Sequence, residues 1–449
     1  MITAPDLVEL VLGASQADGC VVLVTESSEA TLRWANSTMT TNGLSSSREW
    51  AVVSVLGSSV GVVSSSSVDS ADVTAVVRAS EEAARASGPA RDAAPLVEGS
   101  GAPTDWDAPA AQTDIAVFDR LATELAQGFA GKDTLYGFAE HQVHTTWLGS
   151  STGLRRRFSQ PAGTVEVNAK RDGSSAWGGL GTRDFTDVDL TALLADLSIR
   201  LGWGRRTVEL PAGRYETLLP PSAVSDLMIL LAWAMEGRGA QEGHTALSRP
   251  GGTRVGEQLG TLGLTMACDP NLPGLEYPPF VATTHSDDSI SVFDNGMDAG
   301  RVEWIRDGAV HALAYPRAEA ERFHAPVAVP GDNLLITGGS GASLQDMVAS
   351  TERGLLLTCL WYIREVDPVS LLVTGLTRDG VYLVEDGKVT GEVNNFRFNE
   401  SPLDLLRRAT EAGATERTLP REWKDWFSRA EVPPLRIPDF HMSSPSQAS

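Results

Sequence analysis

The strongest constraint in this 449-residue chain is a run of nine consecutive apolar residues, Leu227 to Met235, entered through Pro220-Pro221 and left at Gly237. Proline before and glycine after are helix punctuation, so the spacing predicts a helix over 222–236. A helix apolar along one stripe can lie on a surface, but one apolar on every face has to be enclosed. The run is also far short of the about 20 residues that span a bilayer. The chain must therefore build a large dry interior around one short helix. With 449 residues, 42% hydrophobic and 21% charged, it is long and apolar enough to do so.

Charge narrows the function classes. There are 58 acidic and 36 basic residues, a net charge of −22. A sequence-independent duplex binder needs an excess of cations against phosphate, and so does an anionic membrane surface; neither is expected as a direct partner. The three cysteines, Cys20, Cys268 and Cys359, are sparse and form no CxxC pair, which argues against a disulfide framework or a cysteine-rich zinc site. Asp6 and Glu9 stand where a secretory signal would be basic. The expectation is a soluble cytoplasmic protein.

Patterning predicts an α+β fold. Helical spacing over 5–17 is followed by β-rich runs at Cys20–Thr25, Ala30–Trp34, Trp50–Leu56 and Val60–Ser64, with Asn42-Gly43 and Gly57-Ser58-Ser59 as turns, and by a helix at Val73–Ala86. Residues 87–113, rich in Pro, Ala and Gly, read as a loop or linker. A helix at Ile115–Phe129, strands at Gly137–Trp147, Gly153–Arg157 and Thr164–Lys170, and a helix at Val188–Gly202 repeat the flavour of the first unit. Together they predict an N-terminal α+β domain, 1–206, with a mostly antiparallel sheet. From 207 to 441 short strands with Gly and Pro turns, Ser289–Phe293 among them, predict a β-rich domain around the buried helix, with further helices at 403–412 and 421–428; 442–449 reads as a flexible tail.

Motifs for chemistry are scarce. No HExxH, GxSxG or phosphate-loop string occurs. His141 and His144 fall three apart in a predicted strand and so on opposite faces, which makes them poor joint ligands. His285, Asp287 and Asp288 form a polar cluster that suits acid–base or metal chemistry but reads more simply as a loop. Gly338-Gly339-Ser340-Gly341 reads as a tight turn, and Cys359, inside an apolar run, as core.

The order of pieces resembles a known family. The strand Thr31-Leu32-Arg33-Trp34-Ala35-Asn36 comes first, then Gly149-Ser150-Ser151-Thr152-Gly153-Leu154. Leu219-Pro220-Pro221-Ser222-Ala223-Val224 opens the central helix; Cys268-Asp269-Pro270-Asn271-Leu272-Pro273-Gly274 and Val292-Phe293-Asp294-Asn295-Gly296 follow. Near the end stand Gly354-Leu355-Leu356-Leu357-Thr358, Asp367-Pro368-Val369 and Tyr382-Leu383-Val384-Glu385-Asp386-Gly387-Lys388-Val389. This set resembles the TldD/TldE (PmbA) family of bacterial metallopeptidase subunits over nearly the whole chain. The resemblance implies a heterodimer of TldD and TldE enclosing a chamber, with zinc held by HExxxH on the central helix of the TldD subunit and flexible peptides as substrates. The family pattern there is His-Glu-x-x-Gly-His-Ala-x-Glu-Gly. Here Ala234-Met235-Glu236-Gly237 keeps its ending, while Met228 and Trp233 stand at the two ligand positions and Ile229 at the base. Thioether, indole and alkyl groups neither bind zinc well in this setting nor move a proton. The departure implies the TldE/PmbA-type subunit: no catalytic residue and no cofactor of its own, zinc in a TldD-like partner, and Met228, Ile229 and Trp233 as core, with Glu236 a retained structural position.

Two other readings compete with that one. A stand-alone protein could capture extended peptides by strand addition without hydrolysis, or a different enzyme could work through His285, Asp287 and Asp288. The family's older association with DNA gyrase is expected to run through proteolysis, since the acidic charge opposes direct contact with DNA.

Overall fold

The β-rich runs between Cys20 and Trp34 have a simple outcome in the computed structural model, which describes residues 2–99 and 101–446. The short runs of the N-terminal half are pieces of long strands. β1 (Gly19–Ala35) and β2 (Thr38–Leu56) form one hairpin, closed by β3 (Ser59–Ser65). Its turn is Asn36-Ser37, both left-handed at φ 51° and 53°, the conformation a two-residue hairpin loop requires. Asn42-Gly43, expected as the turn, lies inside β2 opposite Leu32 and Thr31. β4 (Thr134–Ser150), β5 (Arg155–Arg171) and β6 (Ser174–Thr182) complete a six-stranded sheet in the order β3-β2-β1-β4-β5-β6, antiparallel throughout.

Alternation then decides the two faces. Val22 and Val24 pack with Trp50 under α1 (Ala4–Ala14) and α2 (Ser70–Ala86). Farther along the same strand and face, Ala30, Leu32 and Trp34 pack under α3 (Asp119–Phe129) and α4 (Leu190–Trp203). The opposite face carries Val21, Leu23 and Leu148, which meet Phe280, Val292 and Phe293 of the C-terminal half. Residues 87–113 are irregular but not a free linker. Leu96 and Val97 join that interface, Asp92 accepts a buried hydrogen bond from Ser291 at 2.6 Å, and the Trp106 carbonyl accepts from the Trp147 indole at 2.9 Å.

The C-terminal half contains two larger sheets, of six and ten strands. Thr207–Val208 already pairs with Glu392–Val393 of the larger one. The apolar run forms α5 (Pro221–Trp233), with Pro221 in its first turn. It packs between Gly213–Leu219 of the larger sheet and Leu334–Thr337, Glu416–Thr418 and Ala430–Val432 of the smaller, within the largest apolar core. It stops three residues earlier than expected because the chain turns: Gly237 donates to the Ala314 carbonyl at 2.9 Å, and a Cβ on Gly237 would lie 2.2 Å from the Tyr315 ring. Three other expectations are corrected. Ser289–Phe293 is not a strand; Val292–Asp294 is a 3-10 turn. Residues 421–426 are turns, and 427–428 irregular, rather than helix. The tail expected from Met442 is a strand, Leu435–Pro445, with Met442 fully buried; 447–449 lie outside the described residues. Among the described residues no helix is long and apolar enough to cross a membrane.

Candidate functional site

The apolar sequence of α5 dictates that its side chains be enclosed, and most are. Met228 is 1% and Ile229 0% exposed. Trp233 departs from the expectation of core: it is 43% exposed, because α5 ends there and its last turn reaches the surface. What covers it comes from about 190 residues away in sequence. Trp423 sets its ring edge-on to Trp233 at 5.0 Å and donates from its indole to the Asp226 carbonyl of α5 at 2.8 Å. Trp426 continues the series at 6.3 Å from Trp423 and is 76% exposed. Three indoles thus run from the end of α5 outward.

Polar contacts fix this covering segment. The Glu422 N–H donates to Asp226 Oδ1 at 2.9 Å, while the Glu422 carboxylate accepts from the N–H groups of Tyr362 and Ile363 at 2.9 and 3.1 Å. Asp226 is wholly buried and its Oδ2 has no hydrogen-bond partner among the described residues. Burial holds its carboxyl well above the usual carboxylate range; the Glu422 charge adds to this, against the Glu422 N–H and the Arg421 guanidinium.

The zinc that the family resemblance implies can be tested against these residues. Along α5 the available groups are a thioether, an alkyl and an indole, and the one acid among them, Asp226, already binds the Glu422 N–H. Among the described residues no three His, Cys, Asp or Glu side chains converge as a metal site. The residues do not fit the group.

The loop acids lie nearer to α5 than sequence suggests. Glu236 is half-buried, and its carboxyl is raised first by burial and then by Asp288, Asp287 and Glu365. Within the loop, His285 and Asp287 are 3.7 Å apart and 70% and 55% exposed. Asp287 Oδ1 accepts from the Ser289 and Ile290 N–H groups at 2.7 and 3.0 Å, and Asp288 pairs with Arg91. These contacts are those of a self-satisfied turn. Likewise Ser340 N donates to the Ala412 carbonyl in a close-packed turn, and Cys359 is buried beside Trp177 and Leu419 with its thiol pushed up by burial.

His141 and His144 do face opposite ways. His141 bonds Thr113 and the Arg183 carbonyl; His144 bonds Ser27 at 2.7 Å and Gln142 at 3.0 Å, and burial together with Arg429 lowers its pKa. His144 points into a cleft of about 510 Å³ that sequence reasoning did not identify. Its floor is the helix-free face of β4 and β5; its wall is the segment that covers α5, with Trp426 on the rim. At one end Arg429 is bracketed by the Asp332 carbonyl, 3.2 Å from Nε, and the Gln160 amide oxygen, 2.6 and 2.8 Å from its terminal nitrogens. At the other, Lys424 pairs with Asp425 at 2.9 Å and Glu166 at 3.2 Å.

Comparison with known proteins locates this architecture. The family model described as the PmbA/TldA metallopeptidase C-terminal domain matches residues 212–444. The fold is similar to that of TldE from Thermococcus kodakarensis, with a TM-score of 0.77 at 16% identity over 97% of this chain and 98% of that one. It is also similar to a candidate modulator of DNA gyrase from Thermotoga maritima, TM-score 0.75 at 14% identity over 94% and 95% of the two chains. A third, described in the same way and from Bacteroides thetaiotaomicron, gives 0.76 at 14% identity over 99% and 100%. No curated protein sequence matches the chain.

Proposed function

The chain belongs to the PmbA/TldA (TldD/TldE) metallopeptidase family, and on that premise we propose that it is the metal-free, non-catalytic subunit of a two-chain peptidase acting on unfolded or flexible peptides. In this reading it plays the part of TldE: it shapes the substrate chamber while a TldD-like partner supplies zinc and the general base. One observation carries the proposal. Where the family pattern places two zinc-binding histidines and a glutamate, α5 carries Met228, Trp233 and Ile229; the first and last are buried, and Trp233, though 43% exposed, packs edge-on against Trp423. Replacement of all three groups at once, with packing around them, favours a retained structural role over an enzyme with one damaged residue. The loop at His285 and Asp287 offers no competing site, since its acids are already engaged by backbone and Arg91.

The test is co-expression with a TldD-type protein from the same genome, followed by size exclusion at micromolar concentration. A single heterodimer peak that hydrolyses an unstructured peptide is expected. Two separate peaks would refute the pairing. Elemental analysis of the chain alone should find no stoichiometric zinc, and one zinc per chain would overturn the subunit assignment.

A further inference from the structure

The cleft beneath Trp426 has a polarity that the subunit role does not call for. Along β4, Glu140, Gln142 and His144 occupy alternate positions on the cleft face, so the floor from Glu140 to His144 spans about 14 Å, the length of roughly four extended residues. Glu29 on β1 lies opposite Gln142 and so shares this face with Glu140. Neither Glu29 nor Glu140 has an ion-pair partner within 4 Å among the described residues. Asp425 faces Glu140 from the wall, and with Glu166 this end holds four carboxylates against two cations, Lys424 and Arg33. Lys424 is engaged by Glu166 and Asp425, and Arg33 lies over the Phe138 ring at 4.7 Å. Glu140 accepts a hydrogen bond from the Gln142 amide, and Lys424 and Arg33 act on it favourably, yet burial, Glu29 and Asp425 outweigh them and raise its carboxyl above its ordinary value, so a cation arriving there would offset the remaining excess of negative charge. The Trp426 indole, 76% exposed on the rim, presents a π-face of the kind that attracts cations. The far end, with its Arg429 guanidinium, is of opposite sign.

We infer that this cleft binds an extended peptide carrying a basic side chain, with the lysine or arginine head between Glu140, Glu29 and Asp425 and its stem against Trp426. That the ligand is a peptide rests on the function proposed above; the preference for positive charge rests on the cleft itself.

The experiment is calorimetric titration of the chain alone with two capped pentapeptides, one with a central arginine and one with a central glutamate. The arginine peptide should bind at least about tenfold more tightly, the margin of a charge-assisted contact. Glu140→Gln should remove about tenfold of that affinity, and Trp426→Ala about threefold to tenfold. Trp426 is too exposed for its loss to unfold the protein, so the second variant reads binding even if the first is destabilised. Equal affinity for both peptides, unchanged binding in both variants, or no binding at millimolar peptide would each overturn the inference. Because no partner is present, these outcomes are independent of heterodimer formation: a chain that pairs but does not bind peptide refutes only the cleft, and the converse refutes only the pairing.

Discussion

Trp423→Ala tests whether the end of α5 is held closed by an indole from a distant segment. Trp423 is 9% exposed, packs edge-on against Trp233, and donates to the Asp226 carbonyl. Large-to-small aromatic changes in cores cost about 3–5 kcal/mol. Two features adjust that range. Trp233 is 43% exposed, so water can enter part of the space and the cavity cost falls to the lower end. The lost hydrogen bond adds about 1 kcal/mol, because a helix carbonyl keeps its intrahelical donor when the indole leaves. The expected loss is about 3–4 kcal/mol. For a domain of about 230 residues each kcal/mol lowers the melting temperature by about 2–4 °C, which gives a fall of about 6–16 °C. The assay is thermal unfolding followed by circular dichroism beside Trp426→Ala, which at 76% exposure should stay within about 0.5 kcal/mol of the parent. A fall below about 2 °C for Trp423→Ala, or equal falls for both variants, would refute the idea that Trp423 seals this site.

Asp226→Asn should stabilise the protein increasingly as pH rises. The native carboxyl is held above its unfolded value, so its stability is full below the ordinary aspartate range and is lost as pH rises toward the folded value; urea midpoints at pH 5 and pH 8 should show the larger advantage at pH 8. Arg436→Ala should cost about 3 kcal/mol in denaturant unfolding, because Arg436, nearly buried, holds Glu216 and Glu411 at 2.8 and 2.7 Å and bonds Thr351, Ser350 and the Met347 carbonyl. Trp233→His should bring neither zinc nor peptidase activity, since Met228 and Ile229 would still stand at the other two positions; its cost should be about 1–2 kcal/mol rather than that of a core tryptophan, given its exposure. One bound zinc per chain in that variant would refute this.

Local signals carried much of the architecture. α5 was legible because an all-round apolar run admits one environment, and the antiparallel N-terminal sheet was legible from Val21–Val24 and Val52–Val55. What polarity hid was continuity. Thr38–Arg48 reads as a loop because it is polar, yet it is the exposed length of β2 and pairs with β1 along its length, with one register shift at Thr40. That Met228, Ile229 and Trp233 share one helix could be read from the sequence, but not the exposure of Trp233, which depends on where α5 ends and on a segment far along the chain. The cleft was invisible for the same reason. Glu140, Gln142 and His144 announce a polar strand face, while its opposite wall comes from Leu419–Arg429, whose path no periodicity encodes.

β1, β4 and β5 each run 17 residues without interruption, so every one of them passes beneath more than one packing group. The sheet therefore behaves as a beam roughly 55 Å long. Its two ends are loaded separately, by α1 and α2 at one and by α3 and α4 at the other. Such a beam resists bending wherever it is clamped, and the floor of the cleft is part of it. A ligand too bulky for the cleft gains no room from below; its size limit is set by the opposing wall, where Trp426 and Lys424 stand on turns rather than on a strand.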